Sequence, residues 1–130
     1  MTAMTLAIVD DNTAMIEIVV EIAEGLGLQA EGYASGEAFL DGLTGSGPDI
    51  LLLDLQMPGL DGMELLSRLA KLGLKSAVYI VSGTDGPVRD AARYLGEAGS
   101  LDMRGAVAKP VRVAELRDVL SRAMGTSSPA

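Results

Sequence analysis

The chain has 130 residues, 48% of them hydrophobic and 22% charged, which fits one soluble globular domain with a core of its own. It has no Cys and no His, which excludes disulfides, thiolate and zinc sites and histidine acid–base chemistry, so any metal would be a hard cation held by oxygen. A net charge of −8 argues against nucleic acid and anionic membrane surfaces as partners.

MTAMTLAIVDD has no basic segment or cleavage site of a signal peptide, and no apolar run is long enough to span a membrane, so a cytoplasmic location is expected. Thr5–Val9 reads as the first strand (β1) and runs into Asp10-Asp11-Asn12. Met15, Ile18, Val19, Ile22, Ala23 and Leu26 recur at helical spacing (α1), and Gly25 or Gly27 can end that helix. Leu28–Tyr33 is a second, less regular strand (β2). Ser35 is placed to cap a helix over Gly36–Leu43 (α2). Asp49–Leu53 (β3) is an apolar run of the kind buried on both faces of a parallel sheet, and it runs straight into Asp54.

A third helix (α3) opens at Asp61, with Glu64 completing a variant capping box, and runs to about Leu72 before Gly73. Ala77–Val81 is the fourth strand (β4), and Asp85-Gly86-Pro87 signals the start of a fourth helix (α4). LGEAGSLDMR, from Leu95 to Arg104, either prolongs α4 or forms a loop. Gly105–Ala108 is the last strand (β5), and Leu116, Val119, Leu120 and Ala123 mark one face of the last helix (α5). Strands and helices thus alternate through five β–α units, an α/β domain with a parallel sheet covered on both faces, over residues 1–124. GTSSPA, from residue 125 to 130, reads as a flexible tail.

Right-handed crossovers bring the carboxyl ends of parallel strands to one edge, where ligands of open α/β sheets bind. On that edge stand Asp10 and Asp11 after β1, Asp54 after β3, Ser82-Gly83-Thr84 after β4 and Lys109-Pro110 after β5. Taken singly, each has an ordinary explanation: turn and cap residues for the acids and hydroxyls, a solvated lysine before a helix-starting proline. Together they place three carboxylates near one lysine. Two like charges about 4 Å apart repel by roughly 4 kcal/mol at an effective dielectric near 20. One ammonium cannot balance three acids, and a divalent cation, Mg²⁺ or Mn²⁺, completes the set. Such an ion can neutralise charge during phosphoryl transfer, with an aspartate as nucleophile.

These residues, and above all LLLDLQMPGLDGMELL over residues 51–66, resemble the receiver domain of two-component response regulators, the CheY-like family with a flavodoxin-like fold. The similarity runs over about residues 5 to 124. It implies a strand order of 2-1-3-4-5 and a phosphoaccepting Asp54. It also implies Mg²⁺ held by Asp10, Asp11, Asp54 and the Gln56 backbone carbonyl, with Lys109 paired to the phosphoryl oxygens. Ser82 would move to hydrogen-bond the phosphoryl group, Gln56 and Thr84 would tune water access, and the Lys109–Pro110 peptide would be cis. The implied phosphodonor is a sensor histidine kinase or a histidine phosphotransfer protein. Output would pass through the α4–β5–α5 face to a protein partner, and phosphorylation could bring dimerisation.

One position departs from the family: Ala106 stands where an aromatic switch residue is usual. The Gly105-Ala106-Val107-Ala108-Lys109-Pro110 ending and the long Ser82–Lys109 stretch are similar to receivers joined to cyclic-di-GMP phosphodiesterase domains. Ala106 keeps open a second function, a receiver that binds partners without phosphorylation. A phosphatase of the haloacid dehalogenase type is a third, but it needs an acid two residues after the nucleophile, and Gln56 stands there.

Overall fold

The computed structural model describes residues 3–45, 47–55, 62–83 and 86–125, with the backbone alone at 86–89. Five strands alternate with five helices: β1 Thr5–Val9, α1 Thr13–Gly25, β2 Gln29–Tyr33, α2 Gly36–Gly42, β3 Ile50–Asp54, α3 Gly62–Leu72, β4 Ala77–Ser82, α4 Gly86–Ala98, β5 Asp102–Ala108 and α5 Val113–Met124. The strands form one parallel sheet in the order β2-β1-β3-β4-β5. The fold class and strand order are those expected.

Side chains alternate across each strand, and this divides the core in two. Ala7, Val9, Leu51, Leu53, Val78 and Ile80 pack with Phe39 of α2, Leu65, Leu66 and Leu69 of α3 and Ala92 of α4. Leu6, Ile8, Leu52, Tyr79, Val81 and Val107 pack with Val19, Ile22 and Ala23 of α1 and with Leu116, Leu120 and Ala123 of α5. β3 is central, and all five of its residues are buried.

Two helices end in the same way. After α1, Gly27 (φ 95°) lets Leu28 N–H donate to Ala23 O and Gly27 N–H to Glu24 O. Gly73 (φ 74°) does the same for α3 with Leu69 and Ala70. These are glycine-type Schellman closures, and they settle Gly27 over Gly25 as the stop of α1.

The expected start of β5 at Gly105 is corrected to Asp102. LGEAGSLDMR divides between helix and strand: α4 runs to Ala98, and Ser100 takes the left-handed turn at φ 67°. Leu101 N–H then donates to Gly96 O, and Ser100 N–H to Glu97 O. β5 carries a register shift opposite Val78 and Tyr79 that accommodates Arg104 as an extra residue. A second correction concerns Ile18: it lies on the periodic stripe of α1 but is 46% exposed rather than buried.

Candidate functional site

Strand register builds the site. Val9 pairs with Leu53, so the next residues, Asp10 and Asp54, stand side by side at the carboxyl edge of β1 and β3. Asp54 pairs in turn with Val81, and Ser82 with Ala108, which puts Lys109 one step beyond on β5. Alternation also fixes the face. Ile8, Leu52 and Val107 point into the core under α1 and α5, so Asp10, Asp54 and Lys109, two residues on, point the same way.

Asp10 and Asp54 are 0% and 1% exposed, whereas Asp11 is at the surface. One carboxylate oxygen from each of the three lies within 4.8 Å of the others. Lys109 Nζ is 3.1 Å from Asp10 Oδ2 and 3.4 Å from Asp54 Oδ2. Burial alone pushes the Lys109 ammonium down, but the Asp10 carboxylate, joined by Asp54, outweighs it and the net shift is upward. Lys109 N–H donates to Ser82 O at 3.2 Å, tying the end of β5 to the end of β4, and the Lys109–Pro110 peptide is cis. Ser82 itself is buried.

Asp10-Asp11-Asn12 divides its roles. Asn12 caps α1 by accepting from Met15 N–H at 3.2 Å, and Asp10 Oδ1 accepts from Asn12 N–H at 2.9 Å. The capping function falls to Asn12, leaving Asp10 Oδ2 to face the site. That oxygen is buried, with the Lys109 ammonium beside it and no aligned hydrogen-bond donor among the described residues. Three carboxylates beside one ammonium carry excess negative charge. An all-oxygen donor set of this size suits a hard divalent cation, so the residues fit Mg²⁺ or Mn²⁺.

Gly62, which the sequence reading did not single out, forms the back wall. A Cβ there would lie 2.7 Å from both Asp54 O and Leu55 Cα, so only glycine lets α3 start this close to the end of β3. Its signal is faint: a glycine at the head of an amphipathic helix following a strand-end acid. Gln56 and Thr84 lie outside the described residues. Ala106 is exposed on β5 and pairs with Ile80, which faces the α2–α3–α4 layer.

A family model described as the response regulator receiver domain matches residues 6–121. The chain belongs to this family. The receiver is 29% identical over 122 residues to the response regulator protein TodT of Pseudomonas putida, covering 94% of this chain and 52% of TodT. It is 34% identical over 120 residues to the cyclic di-GMP phosphodiesterase response regulator RpfG of Xanthomonas campestris, covering 88% of this chain and 30% of RpfG. The chain therefore spans about half, or less, of these relatives' length. A crystal structure of a response regulator from Colwellia psychrerythraea superposes with a TM-score of 0.84 at 28% identity, covering 97% of this receiver and all of that chain. Among the described residues, no helix is long and apolar enough to cross a membrane.

Proposed function

We propose that this receiver accepts a phosphoryl group on Asp54 from a histidine kinase or a histidine phosphotransfer protein, and that the modified form acts on a protein partner or a joined output domain in the cytoplasm. The observation that carries the reading is the convergence of Asp10, Asp11 and Asp54 on one face, with Lys109 ion-paired to two of them. Asp10, Asp11, Asp54 and the Gln56 backbone carbonyl would hold Mg²⁺ or Mn²⁺. Bound there, the ion would neutralise charge on the phosphoryl oxygens.

The rest falls to the chain. An Asp54 carboxylate oxygen attacks phosphorus, and the P–N bond to the donor imidazole breaks with its electron pair leaving on that nitrogen. β3 is buried along its whole length, so the nucleophile is held in line without reorganising. Lys109 exchanges its contact with Asp54 for one with a phosphoryl oxygen. Ser82, at the end of the neighbouring strand, donates its hydroxyl to the same group and transmits the change to the β4–α4 connection. Gln56 and Thr84 tune the approach of the hydrolytic water. Driving an off state to an on state takes roughly 5 kcal/mol of differential stabilisation, a size that a new dianion paired with a lysine and a hydroxyl can supply. The α4–β5–α5 face would deliver the output.

Incubation with a small-molecule phosphodonor and Mg²⁺ should add the mass of a single phosphoryl group to the wild type and none to Asp54→Asn. A wild type that stays unmodified, or a variant that is labelled equally well, overturns the assignment.

Ala106 favours one competing reading. With no aromatic there, nothing on β5 at that position reaches toward α4, which suits a receiver that binds its partner in either state. Equal affinity for an output partner with and without a beryllofluoride phosphate mimic would select it.

A further inference from the structure

Charge is divided along the chain. No Lys or Arg precedes Arg68, and all ten basic residues lie from there onward. The stretch from β1 to α2 therefore carries only acidic side-chain charges. In the same stretch the sheet is incompletely covered. α2 has seven residues and β2 has five. A helix of that length is about 10 Å long and such a strand about 17 Å, so α2 leaves part of β1 and β2 bare.

The bare part is a cavity of about 330 Å³, at the small end of ligand sites, with room for about ten water-sized groups. Alternation along the strands puts Ala7, Gln29 and Glu31 on its floor, and Tyr33, Phe39 and Leu43 form its walls. The Tyr33 and Phe39 rings stand edge to face, with centroids 5.3 Å apart at 75°. Glu31 Oε1 accepts from the Tyr33 hydroxyl at 3.4 Å, and Glu31 forms no ion pair with any described residue. Burial, joined by the Glu31 carboxylate, pushes the Tyr33 hydroxyl up, so it stays protonated as a donor. Gly42 keeps the mouth open: a Cβ there would lie 3.3 Å from Tyr33 Cε2, tighter than an ordinary contact.

We propose that this cavity binds a small organic ammonium ion, with the charge on Glu31 and the apolar body against Tyr33, Phe39 and Leu43. The lining selects that chemistry. Glu31 is an unpaired carboxylate at a half-apolar cavity, and no basic side chain nearby in the sequence is there to meet it. An anion would be repelled, and a neutral ligand would take water from the carboxylate without replacing it. Aromatic ring faces favour a cation further. The Gln29 side-chain carbonyl is an acceptor for a second ammonium proton. One carboxylate is too few for a divalent metal, which takes several oxygen ligands. The cavity is separate from the acidic cluster: it opens on the α2 face, whereas Asp10, Asp54 and Lys109 point toward α1 and α5.

The test is titration of the full chain with phenethylammonium chloride to roughly 10 mM, the range for a weak small ligand, followed by amide proton–nitrogen correlation NMR. Saturating shifts should appear at Gln29–Tyr33 and Phe39–Leu43. Phenethyl alcohol, of the same shape without the charge, should bind about tenfold or more weakly, and phenylacetate should not bind. Glu31→Gln should bring the ammonium ion down to the affinity of the alcohol and leave the alcohol unchanged. Gly42→Leu should block both ligands by filling the mouth. Both positions are exposed and Gly42 is not at positive φ, so the variants should fold, and an unchanged amide pattern outside the cavity checks this. The comparison of ammonium with alcohol needs no variant and decides by itself. Equal affinity of the two overturns the proposal, as do shifts that fail to saturate or that centre on Asp10 and Asp54. A Glu31→Gln chain that still prefers the ammonium ion overturns it as well.

Discussion

Asp10 and Asp54 are both buried, and each faces the other, Asp11 and a single ammonium. Without a metal the cluster repels itself, so Asp54→Asn should raise the midpoint of thermal unfolding in chelated buffer. A net relief of about 1 kcal/mol corresponds to roughly 4 °C for a domain of this size. Lys109→Met should act in the opposite sense, because it leaves the buried carboxylates uncompensated. Its cost is on the order of 2 kcal/mol, less than for a fully buried pair since the lysine is 28% exposed. Scanning calorimetry of both variants with chelator checks the signs; an Asp54→Asn that melts lower would mean the carboxylate is stabilised where it sits. At this scale the sequence was informative because the acids and the lysine all fall at strand ends, and strand ends of a parallel sheet converge. The division of labour within Asp10-Asp11-Asn12 was not legible, since all three side chains can cap a helix and only the fold decides which one does.

Among the elements, the contact of α3 with β3 is the tightest that bears on the site. Gly62→Ala would ordinarily help a helix by about 1 kcal/mol. Here the added carbon meets backbone at 2.7 Å on two sides, and backbone cannot move aside without shifting Asp54. The variant should lose about 2 kcal/mol or more in urea unfolding. Gly25→Ala, at the end of α1 with nothing within 4 Å, serves as the contrast and should gain up to about 0.5 kcal/mol. Equal midpoints for the two variants would contradict the packing argument. Element boundaries were readable where apolar pattern and turn chemistry agree, as at β1 and at Ser35, whose hydroxyl accepts from Ala38 N–H at 3.0 Å. β5 was misread because it is an edge strand: Asp102 and Arg104 alternate with half-buried Met103, and the turn before it uses a serine at positive φ, which no turn rule favours.

For the molecule as a whole, a divalent ion held by the acidic cluster would couple binding to folding. An ion that binds only the native state stabilises it by about 2.7 kcal/mol at a hundredfold excess over its dissociation constant. The unfolding midpoint should therefore climb with Mg²⁺ in the wild type and stay flat in Asp11→Ala, which removes the exposed member of the cluster without disturbing the core. A midpoint indifferent to Mg²⁺ in both would dissociate the cluster from metal. The confinement of every lysine and arginine to the second half of the chain has a separate effect on motion in solution. Strand order sets the two halves on opposite flanks, so the molecule carries a permanent electric moment across its width. A charged partner approaching within a Debye length, about 8 Å at physiological salt, would feel a torque before it touches. Encounters would arrive already oriented, and their association rate would decline with ionic strength even where the final contacts are apolar.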